Sequence, residues 1–509
     1  MQPTRVLKHL GVFAGVLSLA ATVGCGTGGG SSVVINPKGN FSNASLNGSY
    51  VYEIHGGGQN NFGTFTPYRE AGVFVANGQG HIGNTTPGSD DISGNTTPIA
   101  VTGKYQIFQD GTGSITMTSQ LGTINLAVTM VSNSKVYLME ADGAATTGLG
   151  VNAVGVAELQ DASAISTTPA GSFAFHIHEE ISLNGAPESQ VGAFNASTSG
   201  INGAMDQNAS GTFSSPNIAW TFNAPGTLGR GTGTYVNTST NVTNNFVYYI
   251  VSGSKVDMLV SDLNVVGSGV AEAQSGAVGN GLSGTYVFGS NGDDVNCANG
   301  FCATVASVGE FTATAGNMTG LEDTNVDGNV TSSVATADCY TPSANGRVVV
   351  VSSSGSSCSS TTVQVFWMVN PNRAFFLDVN PSLFDDGTAD LQTVSNFSES
   401  TLSGQFALLM GGIDISPELL TRIGTLQFNS GGTLSLNELS SSSSTGAGGQ
   451  SPGILNGTFT TASNGRITGG AGNGSGGVDF VMYAVSGSQV YVMQNDSGTI
   501  TSGTVELQP

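Results

Sequence analysis

Charge is what this chain lacks most. Lys, Arg, Asp and Glu make up 9% of 509 residues, against roughly a quarter in ordinary globular proteins. Only 12 residues are Lys or Arg, and the net charge is −22. Nucleic-acid binding is disfavoured, because neutralising phosphates takes clustered basic side chains. The charged residues that cover exposed helix faces are scarce, so the composition argues against helices. Beyond the first 25 residues no apolar run is long enough to cross a bilayer as a helix. Cysteine is rare too: four of five lie between positions 297 and 358. What is abundant is Gly, at 75 residues, together with Ser, Thr and Asn. An all-β chain of strands and turns follows.

The N-terminus carries a targeting signal. Arg5 and Lys8 precede the apolar run LGVFAGVLSLAATVG at 10–24, which ends at Cys25. Residues 1–25 therefore read as a signal peptide. Ala21-Thr22-Val23-Gly24-Cys25 resembles a bacterial lipoprotein cleavage box, although Thr22 stands where that family has Leu. The resemblance implies that Cys25 becomes the lipidated first residue of the mature chain; ordinary secretion with cleavage nearby is the alternative. Residues 26–44, opening with GTGGGSS, read as a flexible tether.

The rest repeats. VSNSKVYLMEAD at 131–142 returns as VSGSKVDMLVSD at 251–262, VNPNRAFFLDVN at 369–380 and VSGSQVYVMQND at 485–496, with copies 120, 118 and 116 residues apart. Four further landmarks recur in step, among them Gly155-Val156-Ala157-Glu158-Leu159-Gln160 and its counterparts ending at Gln274, Gln392 and Gln508. A period near 117 residues is domain-sized, too long for a propeller blade or solenoid coil. The units span 45–161, 169–275, 281–393 and 401–509.

Within the first unit, alternating apolar stretches at 48–55, 70–77, 80–86, 98–108, 113–119, 123–131, 135–141 and 152–160 read as eight strands joined by turns. Such a meander has two unpaired edges unless it closes. The expected fold is four tandem antiparallel eight-stranded up-and-down β-barrels, with four β-sandwiches as the alternative. In the 131–142 phrase and its copies, Val136, Leu138, Val256, Met258, Ala374, Phe376, Val490 and Val492 share one face and pack the interior. Tyr137, Asp257, Phe375 and Tyr491 alternate with them and should face outward.

Six of the nine basic residues in the repeats occupy equivalent sites: Arg230, Arg347 and Arg466 in a Gly-Arg turn, and Lys135, Lys255 and Arg373 at the start of strand seven. Strand eight ends on an acid, which predicts cross-strand pairs Lys135–Glu158, Lys255–Glu272 and Arg373–Asp390, with Gln489–Glu506 as the uncharged version. Exposed pairs of this kind contribute about 0–1 kcal/mol.

An up-and-down barrel puts alternate connections at opposite ends. The second, fourth and sixth are short; the first, third, fifth and seventh are longer and vary between copies, as in 56–69, 292–304 and 411–422. Variable loops at one end of a rigid scaffold are where binding usually sits. Asp90, Asp91, Glu179, Glu180, Asp293, Asp294, Asp385, Asp386, Asp414 and Glu418 are expected among these loops, as solvating charge or as a cation or partner site.

Candidate sites are few. Cys297, Cys302, Cys339 and Cys358 are expected to form disulfides Cys297–Cys302 and Cys339–Cys358 in an exported protein, with zinc as the rival. His176-Ile177-His178 puts two histidines on one strand face, but Phe173, Phe175 and Ile177 take the interior, so the histidines should be solvated; His55 is the counterpart of His178. Asp323, Asn325 and Asp327, followed by Gly328, look like the first half of a calcium loop, but Val334 stands where the closing acid belongs. No nucleophile motif or phosphate-binding loop is present.

Leu282-Ser283-Gly284-Thr285-Tyr286-Val287-Phe288 and its counterparts resemble the first strand of avidin-like and lipocalin-like barrels, with Tyr or Phe in place of the family's tryptophan. That resemblance implies a barrel that could hold a small ligand, and it carries no ligand-contacting residue across. The repeated phrases as a set resemble uncharacterised surface lipoproteins of Gram-negative bacteria, which implies a location at the outer membrane, the cell surface or in the periplasm. The expectation is an exported, lipid-anchored, non-enzymatic display or adhesion protein, anchored to a membrane through its N-terminal lipid. Its loop ends would meet a protein, carbohydrate or small-molecule partner, with no cofactor other than candidate calcium. A carrier of small apolar ligands inside the barrels is the alternative, and a carbohydrate-active enzyme comes third.

Overall fold

The computed structural model describes residues 39–59, 65–120, 122–142, 150–181, 186–294, 304–354, 357–414, 419–442, 453–472 and 477–509. Each repeat is a closed antiparallel barrel of eight staves. Strand one runs over Asn47–Gln59, Ser172–Ile181, Gly284–Asp294 and Gly404–Asp414 in barrels 1 to 4. It pairs with strand two on one side and strand eight on the other, which closes the cylinder. In barrel 1 the third stave is broken into His81–Ile82 and Gly88–Ile92.

Turn chemistry sets the register locally. At the turn between strands six and seven, the first polar side chain accepts from the backbone amide two residues on: Ser134 to Ser132, Ser254 to Ser252, Asn372 to Asn370 and Ser488 to Ser486, at 2.8–3.2 Å. Gly111, Gly346 and Gly465 sit at φ +87°, +90° and +92° in the turn before strand five, a conformation that L side chains rarely adopt.

The four interiors are filled. Barrel 2 stacks Phe173, Phe175, Phe194, Trp220, Tyr235 and Phe246; the others pack Tyr50, Tyr52 and Phe74, Tyr286, Phe311 and Phe366, or Phe406, Phe428 and Phe459 among aliphatic neighbours. Toward the long-loop ends the interiors turn polar. There Tyr52 Oη lies 3.0 Å from Glu70 and 3.1 Å from Asp90, and Tyr235 Oη donates to Glu179 at 2.9 Å. Asp90, Asp91, Glu179, Asp385 and Asp386 are therefore buried strand residues, not the loop charges the sequence suggested. Glu180, Asp293, Asp294 and Asp414 also lie in strands, while Glu418 lies outside the described residues.

The four barrels join into one compact unit, and the joints repeat. Outward residues of strands six and seven of one barrel pack on strands one and two of the barrel before it. Val247, Tyr249 and Leu259 meet Val51 and Val73; Val365, Trp367 and Phe375 meet Ala174 and Val191; Val481, Tyr483 and Tyr491 meet Val287 and Val308. Barrel 1 completes the series, with Ala127, Tyr137 and Met139 against Ala407, Leu409 and Ile423 of barrel 4. Four equivalent contacts that return to their start make a closed ring related by a pseudo-fourfold axis. A rotation about that axis keeps each barrel's polarity, so all four long-loop ends share one face of the ring.

The same joints correct two expectations. Tyr137, Asp257, Phe375 and Tyr491 do point out of their barrels, but at 0–7% exposure they are buried. The registers Lys135–Glu158, Lys255–Glu272, Arg373–Asp390 and Gln489–Glu506 are all formed. The side chains, however, reach sideways into the previous barrel. Lys255 pairs with Glu158, Arg373 Nε with Glu272 at 3.1 Å, Gln489 with Asp390 at 3.0 Å and Lys135 with Glu506 at 2.5 Å. Only Arg373 also keeps its own barrel's acid, Asp390, at 3.0 Å.

Candidate functional site

Strands one, two and eight of every barrel turn their outer faces to the pseudo-fourfold axis, where a cavity of about 520 Å³ is lined by all four barrels. One belt around it can be read position by position. Strand one contributes His55, His178, Asn291 and Gly411; their partners on strand two are Arg69, Ser189, Ala306 and Thr421. Their partners on strand eight are Val154, Ser268, Asp386 and Ser502. At these equivalent positions no two barrels carry the same set. At the joints the opposite holds: Gln160, Gln274, Gln392 and Gln508 all donate Nε2 to a strand-six carbonyl of the next barrel at 2.6–2.8 Å. The chain repeats itself where the barrels hold together and differs where they face the cavity.

Asp386 knits barrels 2 and 3. His176 Nε2 lies 2.6 Å from its Oδ1, an ion-pair distance with poor hydrogen-bond geometry. His178 Nδ1 lies 3.0 Å from Oδ2, and Ser189 Oγ also reaches that oxygen. Burial opposes the charge on Asp386, but the two histidines prevail and hold its carboxyl well below the usual range. Burial likewise opposes a charged His178, and Asp386 raises its pKa in spite of it. On barrel 1, His55 Nδ1 lies 3.2 Å from Glu53, and Ser268 donates to the same carboxylate at 2.6 Å. Asp293, at the long-loop end of the cavity, is pushed up to about 7 by burial and then by Glu180.

This arrangement lacks an activated nucleophile. Ser189, His178 and Asp386 are together, but the Ser189 hydroxyl donates its hydrogen bond to Asp386 itself, with His178 Nδ1 at 3.3 Å, whereas a triad needs the imidazole between hydroxyl and carboxylate. The Glu70–Asp90 pair is buried inside barrel 1 at 0–1% exposure among the described residues.

The sequence-level candidates fall elsewhere. Cys339 and Cys358 form a disulfide with Cα atoms 5.8 Å apart. Cys25, Cys297 and Cys302 lie outside the described residues. Asp323 and Asn325 are buried at the joint between barrels 3 and 4, where protein groups occupy their side chains. Asp323 accepts a two-pronged grip from Arg466 at 2.6 and 2.8 Å and the Tyr483 hydroxyl at 2.6 Å. Asn325 donates to the carbonyls of Asp496 and Thr499. Asp327 is a turn residue at φ +50°. Among the described residues no group of three His, Cys, Asp or Glu is placed to hold a metal ion. His176 and His178 do leave their barrel, as their spacing predicted, but they enter the cavity wall and are largely shielded from bulk solvent.

Sequence reasoning missed Arg69 altogether. Its Nε is buried without a hydrogen-bond partner, and no ion pair reaches it among the described residues. The available signal was that Arg69 is one of only three basic residues off the repeat pattern.

No protein-family model matches the chain, and no curated protein is similar to its sequence. Among solved structures, similarity is found to intact Ap-TbpB with its N and C lobes, at 9% identity over 73% of this chain and 84% of that one, TM-score 0.17. A mutant transferrin binding protein B from Haemophilus parasuis Hp5 aligns at 10% identity over 75% and 85%, TM-score 0.18. The isotype 1 protein from serogroup B Neisseria meningitidis aligns at 10% over 73% and 83%, TM-score 0.18. At such scores the chains do not superpose as whole backbones.

Proposed function

We propose that this is an exported, lipid-anchored, non-catalytic binding protein that uses the long-loop face of its barrel ring for adhesion or display. The observation that supports the reading is the ring itself: its joints turn the strand ends from which the variable connections leave toward one face. A rigid base with clustered variable loops is the arrangement on which binding surfaces are built. Among the described residues, the aromatic and aliphatic side chains packed into each interior argue against the carrier alternative. The absence of an activated nucleophile in the Ser189–Asp386–His178 cluster speaks against hydrolysis there.

The test has two arms. Cys25→Ser should move the protein from the membrane pellet to the soluble fraction in a Gram-negative host and abolish palmitate labelling. Shortening 292–304 or 411–422 should abolish adhesion of expressing cells to glycan- or matrix-coated surfaces. Exchanging the turn at 132–134 on the opposite face should leave adhesion intact. Equal loss from both faces would refute the proposed binding face.

A further inference from the structure

At the long-loop end of the axial cavity each barrel offers different chemistry. Barrel 1 supplies Arg69, a guanidinium with an unpartnered buried Nε. One pleat further along strand one, barrel 2 supplies Glu180 and barrel 3 supplies Asp293, and Asp293 lies within electrostatic reach of both Glu180 and Arg69. No ion pair joins either acid to Arg69 among the described residues. Barrel 4 presents Ile413 with its cross-strand partners Leu419 and Ile500, and all six residues line the cavity.

A bare anion would meet two carboxylates, and a bare cation would meet the guanidinium. A purely apolar guest would leave all three ionisable groups desolvated and without a partner, which is costly. We infer that the axial cavity binds a free aliphatic α-amino acid. Its carboxylate sits on Arg69, its ammonium between Glu180 and Asp293, and its side chain against Ile413, Leu419 and Ile500. Arg suits the first role because its planar fork matches a carboxylate. The three substituents of one α-carbon thus go to different barrels, so the site exists only in the closed ring. This inference does not depend on the loop face and would stand if the loops bound nothing.

The experiment is calorimetric titration of the full mature chain with L-leucine, N-acetyl-L-leucine and L-leucinamide. Leucine should bind at one site per chain, and each blocked analogue about ten- to a hundredfold more weakly, the worth of one charge-assisted contact. Arg69→Met should weaken leucine by a similar factor while leaving leucinamide unchanged. Glu180→Gln should weaken leucine while leaving N-acetyl-leucine unchanged. Because the Arg69 guanidinium makes no ion pair among the described residues, the unliganded R69M chain should still unfold in one cooperative transition, which separates loss of binding from loss of fold. No heat with leucine, or leucinamide binding as tightly as leucine, would overturn the assignment.

Discussion

Gln508 donates its side-chain amide to the backbone carbonyl of Met130 at 2.6 Å, across 378 residues of chain. It does for barrels 4 and 1 what Gln160, Gln274 and Gln392 do for consecutive barrels, and so marks the contact that turns a row of four into a ring. Gln508→Ala leaves the buried Met130 carbonyl without that partner and should lower stability by about 1–3 kcal/mol. Truncation before Thr499 removes strand eight of barrel 4 as well and should open the ring, seen as a larger radius of gyration in small-angle scattering. An unchanged scattering profile in the truncated chain would contradict closure through this joint.

The other joints carry a buried fork that the closing joint lacks. Arg230 grips Asp91, Arg347 grips Asp206 and Arg466 grips Asp323, each acid 0% exposed. Register places Thr112 and Leu439 at the corresponding sites of the closing joint. Asp323→Ala should cost about 3–5 kcal/mol in urea unfolding, because it strands a partly buried guanidinium. At the closing joint Leu439→Asp alone should destabilise, and adding Thr112→Arg should recover part of the loss. Strict additivity in that double-mutant cycle would mean the two positions do not meet.

Stability should fall as pH rises from about 4 to about 8. Burial pushes Glu179 up to about 8 and Asp257, Asp293 and Glu322 up to about 7, from unfolded values near 4. In that window the folded chain holds more protons than the unfolded one, so raising pH favours unfolding. His178, whose pKa is raised, contributes stability that is complete below about 6.5 and is lost as pH climbs through its folded value. Asp386 acts oppositely, and its contribution disappears only in strong acid, below the usual carboxylate range. Melting temperatures between pH 4.5 and 8.5 should therefore peak at the acidic end, and Glu179→Gln should flatten the slope. A melting temperature that rises toward pH 8 would show the opposite proton balance.

The Cys339–Cys358 bridge closes a loop with a sequence separation of 19, which in the chain-entropy picture is worth about 3 kcal/mol. The double serine variant should lose about that much in denaturant unfolding. A reductant should depress the wild-type melting temperature and leave that of the variant unmoved.

Much of this molecule is written locally. Period-two alternation around Val136 and Leu138 and the Ser-Asn-Ser turn depend on residues a few positions apart, so strands, turns and register could be read directly. The repeat supplied the count of four, and the unpaired edges of an eight-strand meander supplied closure. What the outward faces do could not be read in the same way, because polarity at Asp257 or Lys255 resembles solvent exposure until a partner is seen. One clue was present: strands six and seven are apolar on both faces, as in Phe246-Val247-Tyr248-Tyr249-Ile250, the pattern of a strand covered on both sides.

The amino-acid order alone therefore determined four similar barrels and the cross-strand register of each. Only the tertiary structure decided that Lys255 reaches Glu158, that Arg466 grips Asp323, and that Arg69, Glu180, Asp293 and Ile413 share one cavity. Side-chain alternation is a property of a strand and its immediate neighbours. The choice of which outer face meets which is made by surfaces more than a hundred residues apart in the chain, and no local pattern records it.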